Sequence, residues 1–479
     1  MLIKSYRWSS FSKMTMMMTT KHRPYTMTSI NQSRQTRMRP QDPEEVANMD
    51  EYQFADEKHS TKRSKSIFCW GFSSTGALGR QSHLGRYEKA TGQIEIPKRT
   101  VIRSPQRLRF VNPRCHVYDV AAGSGFTVIA ATYDGSTHVL FGCGLNTDSQ
   151  IGFQSNQSNE PLICVAEPVP IDLPLNNSNK KNMEKVVKVA CGRAHTVCLT
   201  NHNNVFTLGN NSFGQCGRPI VEDEKYFASK RVHQIDYDQN DPIVDICCGL
   251  DHTLALTRSG IVYSFGWGDD GQLGHGVCRS SWKLSKVIGD IQGEKIIKIS
   301  SAGDCVLAIN EKGQMFGWGN NEYGQLAMAN NVNQTQIHTS RHLKVDNNSI
   351  GKISDVAAAG SMCALINDSG SIFVWGYGIL GLGPNIREKL WPTELHANLF
   401  GRNVLNMDTK ITKIIAGLHH FGAINNRGEL FMWGKNNRAN LGIGTKHDMM
   451  FPFRISIPTH VIKLSLGIDH SIAVGYRLI

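Results

Sequence analysis

Four histidines recur in one frame along the chain: Gly192-x-x-His195, Gly249-x-x-His252, Gly417-x-x-His420 and Gly467-x-x-His470. Imidazoles at a fixed repeat position could converge as metal ligands or act as general bases. Sister copies of the frame, however, put Phe126, Cys305 and Met362 in the histidine's place. Ligation needs several donors at one point, and a position that accepts Phe and Met is a packing position. The histidines are therefore read as structural, with no metal and no cofactor. No P-loop, His-Glu-x-x-His, EF-hand or nucleophile elbow occurs. No catalytic residue is assigned, and the chain is not read as an enzyme.

Charge is the second possible chemistry. The 479 residues carry a formal net charge of +12. Residues 1–41 hold eight lysines and arginines and no Asp or Glu. Such a basic, hydroxyl-rich, acid-free stretch without an apolar core has the composition of a mitochondrial transit peptide. The division expected is transit peptide 1–45, linker 46–65 and one folded unit 66–479. A second basic segment, 80–116, has nine Lys and Arg against two Glu. Arg80, Arg86, Arg99, Arg103, Arg107 and Arg109 are its candidate contacts for RNA phosphate or anionic lipid. Only Tyr87 and Phe110 could stack on bases there, and a solvated loop would have the same composition. Two further insertions are expected: 153–185, Asn- and Pro-rich and read as plain loop, and 218–242, with mixed charge and suited to a protein contact. The twelve cysteines form no C-x-x-C pair and read as buried thiols of a reducing compartment.

The elements that position these residues are repeats. An aromatic-Gly pair leading to a Gly-x-Leu-Gly tail occurs seven times, at Gly71, Gly142, Gly209, Gly266, Gly319, Gly376 and Gly434. It alternates with the seven Gly-x-x-His-type copies. His195 to Gly209, His252 to Gly266, Cys305 to Gly319, Met362 to Gly376 and His420 to Gly434 all span 14 residues, while Phe126 to Gly142 spans 16. A fixed offset between strand-and-turn signals means that one supersecondary unit is rebuilt. Four short strands per unit give an all-β, seven-bladed propeller. The chain opens on a lone Trp70-Gly71 and closes on a lone Gly467-x-x-His470, so Ile67–Trp70 should complete the blade begun by 461–474 and close the ring.

These motifs resemble the repeats of the regulator-of-chromosome-condensation family over residues 67–479. The pattern of intact and degraded copies, with Trp70-Gly-Phe-Ser-Ser-Thr-Gly-Ala-Leu-Gly79 and Trp375-Gly-Tyr-Gly-Ile-Leu-Gly-Leu-Gly-Pro-Asn385, is most similar to that family's mitochondrial branch. The resemblance implies nucleotide exchange on the dynamin-like GTPase of mitochondrial inner-membrane fusion. The alternative it implies is non-enzymatic work with mitochondrial large-subunit ribosomal RNA, its pseudouridylation module and ribosome-assembly proteins. The implied location is the matrix or the matrix face of the inner membrane, with at most peripheral membrane contact. The acid-free N-terminus argues against a chromatin role, so no DNA partner is expected.

Overall fold

Short strands rich in Val, Ile, Ala and Cys, separated by glycine turns, bury both faces and so must stack sheet on sheet. In the computed structural model they do this radially. Residues 65–80, 87–88, 93–94, 100–112, 114–134, 136–175, 183–326, 334–345 and 347–477 are described. They form seven antiparallel four-stranded sheets and one two-stranded ribbon. Blades 1 to 6 begin at the inner strands Cys115–Ala122, Val186–Cys191, Ile243–Cys248, Ile296–Ser300, Ile353–Ala358 and Ile411–Ala416. Blade 7 is built from both ends of the propeller: Thr459–Leu466, His470–Arg477, Lys65–Phe72 and Val101–Arg107, in that order. Lys65–Phe72 lies between His470–Arg477 and Val101–Arg107, with Ile67 opposite Val474 and Phe68 opposite Arg107. The expected transit segment and linker, residues 1–64, lie outside the described residues.

Three expectations change. The glycine of the blade 1 copy is Gly144, not Gly142: Phe126 pairs with Gly144, as His195 pairs with Gly209. Gly144 has φ +108°, and a Cβ there would lie 2.5 Å from the Phe126 Cα; Gly142 has no positive φ. The blade 1 hairpin spans 18 residues from Phe126 to Gly144 instead of 14, and Phe141-Gly142 inside it is a decoy aromatic-Gly pair. Residues 153–185 are not plain loop, because Cys164–Pro170 is the outer strand of blade 1. Likewise 80–116 contains the outer strand of blade 7, and 218–242 contains the two-residue outer strand His233–Gln234. The long excursions therefore interrupt blades between their third and fourth strands.

Neighbouring blades are joined by one repeated hydrogen bond. The carbonyl before the Leu of each Gly-x-Leu-Gly turn accepts from the next blade. Ala77, Gln150 and Gln215 accept from the hydroxyls of Thr127, Thr196 and Thr253 at 2.7–2.9 Å. Where that hydroxyl is replaced by Val306 or Cys363, the indole N–H of Trp318 or Trp375 reaches Gln272 or Gln325 instead, at 2.9 and 2.8 Å. Asn440 accepts from both Ser471 and Trp70. Blade 5 breaks the pattern. Its turn, Gly378-Ile379-Leu380-Gly381, buries Leu380 and sets Gly381 against Trp433 as Gly274 is set against Trp318, but it arrives three residues sooner after the strand glycine than in the other blades. The Trp433 indole N–H of blade 6 is buried with no hydrogen-bond partner.

Trp375→Phe should therefore cost about 1 kcal/mol beyond the lost packing, because it orphans the Gln325 carbonyl, whereas Trp433→Phe removes an unpaired donor and should be close to neutral. Equilibrium denaturation of the two variants checks this; equal losses would contradict the assignment.

Candidate functional site

Three of the four recurrent histidines prove to be clamps between blades, whereas His420 Nε2 is buried with no hydrogen-bond partner. His195 Nε2 lies 3.1 Å from Thr253 Oγ1 of the next blade, and His470 Nε2 lies 2.8 Å from Thr127 Oγ1. Each of those hydroxyls donates to a turn carbonyl. The imidazole must then be the donor, which fixes the proton on Nε2. His252 does the same to Ser301, whose hydroxyl is bonded to the Cys305 carbonyl. The preceding glycine follows from the ring. A Cβ on Gly249 would meet His252 Cε1 at 2.0 Å, and one on Gly192 would meet His195 Cε1 at 2.2 Å. The two copies without a ring, Cys305 and Met362, carry Ala302 and Ala359 in the glycine's place. Burial holds His195, His252 and His420 neutral, down to about 3, with His252 and Arg193 adding to the effect on His195 and His419 to that on His420. Among the described residues no three His, Cys, Asp or Glu gather to hold a metal ion, and no helix is long and apolar enough to cross a membrane.

The basic segment is placed on the rim. Along Val101–Arg107 and just beyond it, Ile102 and Leu108 point into the core while Arg103, Arg107 and Arg109 are exposed. Strand alternation thus sets three guanidinium groups on one side of an edge strand. Pro105 removes a backbone donor from that edge, which discourages pairing with another strand. Arg80 reaches back to donate to Gln106 Oε1. Arg86 and Arg99 lie outside the described residues. Sequence reasoning missed Arg438, which closure brings from blade 6 to 4.5 Å above the Phe72 ring. Its signal was the closure itself, since blade 7 must abut blade 6.

The excursions of blades 7, 1 and 2 leave from the third strand, so all emerge at the end of the propeller that also carries the Gly-x-x-His turns. Those of blades 1 and 2 are tied together. Ser149 Oγ donates to the Tyr226 carbonyl at 2.8 Å and accepts from Ser229 N at 2.9 Å, and Lys230 Nζ sits 4.8 Å from the Phe153 ring. Within the blade 2 excursion, half-buried Glu224 bridges Arg218 at 2.7 Å and Arg231 at 3.1 Å. Burial, then Glu224, pushes the nearby Tyr226 hydroxyl up to about 12. This fixed loop nonetheless leaves Ile220, Val221 and Phe227 45–50% exposed. Braced apolar side chains at the end of the propeller where the blade 7 excursion also leaves its strand make a surface for macromolecular contact.

The model of the Regulator of chromosome condensation (RCC1) repeat matches residues 66–130, 138–199, 202–256, 259–309, 312–366 and 427–474. A second model of the same description matches 186–215 and 243–272. A mouse "RCC1-like G exchanging factor-like protein" is 39% identical over 447 residues, 93% of this chain and 94% of the relative. Its human counterpart is 40% identical, covering 87% and 88%. The crystal structure of human WBSCR16 superposes with a TM-score of 0.78 at 40% identity, covering 87% of this chain and all of that one.

Because the three buried histidines stay neutral in the fold but protonate when unfolded, the unfolded state takes up more protons below about pH 6.5, and stability falls as pH drops from there toward 3. Each should remove about 2 kcal/mol by pH 5. His195→Phe, the residue found in blade 1, should flatten the pH dependence of unfolding by that share; an unchanged slope would contradict the assignment.

Proposed function

Because the chain belongs to the regulator of chromosome condensation (RCC1) repeat family, we propose that it is a guanine nucleotide exchange factor that works by binding. The single observation that carries this reading is the braced, partly apolar surface of the blade 1 and blade 2 excursions, seen together with relatives whose name includes G exchanging factor. An exchange factor needs no catalytic group. It must bind the nucleotide-free GTPase better than the loaded one, and its effect cannot exceed that difference in affinity. A rigid ring with fixed loops loses little entropy on docking. The basic edge at Arg103, Arg107 and Arg109 steers an acidic partner and adds salt dependence to the association rate. The partner we favour is the dynamin-like GTPase of mitochondrial inner-membrane fusion, met in the matrix or on the matrix face of the inner membrane. The acid-free composition of residues 1–41 supports that location.

A second reading rests on the arginine edge alone: a non-enzymatic factor that holds mitochondrial ribosomal RNA for its modification and assembly proteins. The edge suits phosphates, but apart from Phe110 its described residues offer no aromatic platform, which favours the protein partner.

Release of a fluorescent guanine nucleotide from the purified GTPase tests the proposal. The wild-type chain should accelerate release, and Ile220→Asp/Phe227→Asp should abolish most of the acceleration at unchanged Tm. Arg103→Glu/Arg107→Glu should slow association by about tenfold at low salt and much less at high salt. No acceleration by folded wild-type chain would overturn the reading, and recovery of ribosomal RNA by crosslinking that depends on Arg103 and Arg107 would favour the second.

A further inference from the structure

The inner strand of every blade has one irregularity in its pairing, and the residue that follows it is ionisable in all seven. Blades 1, 3 and 5 place Asp119, Asp245 and Asp355 there, opposite Ala130, Leu256 and Ile366. Blades 2, 4 and 6 place Lys188, Lys298 and Lys413, opposite Leu199, Ile309 and Ile424. Blade 7 places Lys463, opposite Val474. The innermost strands thus carry a ring of alternating charge around the axis.

Three of the four lysines pair with the carboxylate of the blade that follows. Lys188 lies 2.5 Å from Asp245, Lys298 lies 3.1 Å from Asp355, and Lys463 is in contact with Asp119 across the closing junction. The carboxylates also accept backbone N–H groups of the next blade, Val189 on Asp119 at 3.0 Å and Ile414 on Asp355 at 3.1 Å. Seven is odd, so alternation cannot close. Lys413 is followed by another lysine and has no carboxylate to meet. Its Nζ donates to the Ile462 carbonyl at 2.6 Å, which leaves two of its three N–H donors. Burial first, and then Lys463 and Lys298, hold its ammonium below the usual lysine range, although Asp355 and Asp119 oppose them. Lys298, by contrast, is carried above the usual range by Asp355 despite its burial.

An axial cavity of about 190 Å³ adjoins the ring. Lys463 lines it, together with Ser124, Ser301 and Ser465 and the backbone at Gly249 and Gly467. Lys413 is not in that lining, which is mainly apolar, but its surplus ammonium at the junction of blades 6 and 7 stands next to the strand whose Lys463 and Ser465 interrupt it, and two ammonium groups with neighbouring hydroxyls have the composition of an anion site. We propose that the axial channel binds one small inorganic oxyanion of the phosphate class, held by Lys413 with Lys463 at the place where the ring of charge fails to alternate.

Lysine footprinting of the full chain with acetic anhydride, read by mass spectrometry, tests this directly. Inorganic phosphate should protect Lys413 saturably, while chloride at equal ionic strength should not. By calorimetry, Lys413→Gln should weaken phosphate binding by about tenfold, the effect of losing one charge-assisted contact, and Lys413→Arg should retain it. Asp355→Asn, which frees Lys298 as a second surplus cation, should strengthen it. Thermal unfolding of each variant shows that the ring is intact. Equal protection by chloride, or phosphate binding by folded Lys413→Gln at the wild-type affinity, would overturn the proposal.

Discussion

A propeller has no stable intermediate number of sheets: the ring is either closed or it exposes two edges and two hydrophobic faces. Closure here depends on Lys65–Phe72 finding its place between strands from opposite ends of the propeller. One continuous core then joins Ile67, Phe68 and Trp70 to Ile102 and Leu108 on one side and to Ile472, Val474 and Met432 on the other. Bringing such distant segments together costs loop entropy early, and the burial that offsets it arrives only when the last blade forms. The blade-to-blade hydrogen bonds, the histidine clamps and the axial charges all presuppose that geometry.

Seven equivalent positions also work as an internal mutational series. At the clamp, His with Gly and Cys or Met with Ala are both acceptable, so the constraint is the space above the turn rather than imidazole chemistry. At the latch, a threonine hydroxyl and a tryptophan N–H reach the same carbonyl from different places in the blade. The shortened turn of blade 5 shows that the latch is dispensable at one junction: the Trp433 indole N–H stays buried without a partner, and the sheets still pack. The turn position three residues before its second glycine reads Gly in most copies but Ser149 and Ala439 in two, and both adopt positive φ, 55° and 59°. These departures concentrate in blades 1, 5 and 6, where neighbouring contacts hold the turn.

Much of this was legible in the sequence, because repetition reveals what single segments hide. The number of blades and the structural nature of His195 and His252 follow from spacing and from what replaces them. Gly144 was hidden because the blade 1 hairpin is longer and Gly142, nearer the usual offset, is preceded by an aromatic residue while Gly144 follows Cys143. Cys164–Pro170 was hidden because two prolines and Glu167 suit an outer strand with one wet face, which looks like loop when read alone. The proximity of Arg438 to Phe72, and the pairing of Lys463 with Asp119, are contacts across the closing junction that no local pattern carries.

What distinguishes this chain from a bare ring lies in the interruptions, and three of them emerge side by side at one end. Hydrogen-exchange mass spectrometry of the chain with and without its nucleotide-free GTPase locates the contact without any substitution. Protection confined to 101–109, 146–163 and 218–232 is the predicted result; protection at the opposite end, in the hairpins at 201–204 and 258–261, would contradict it.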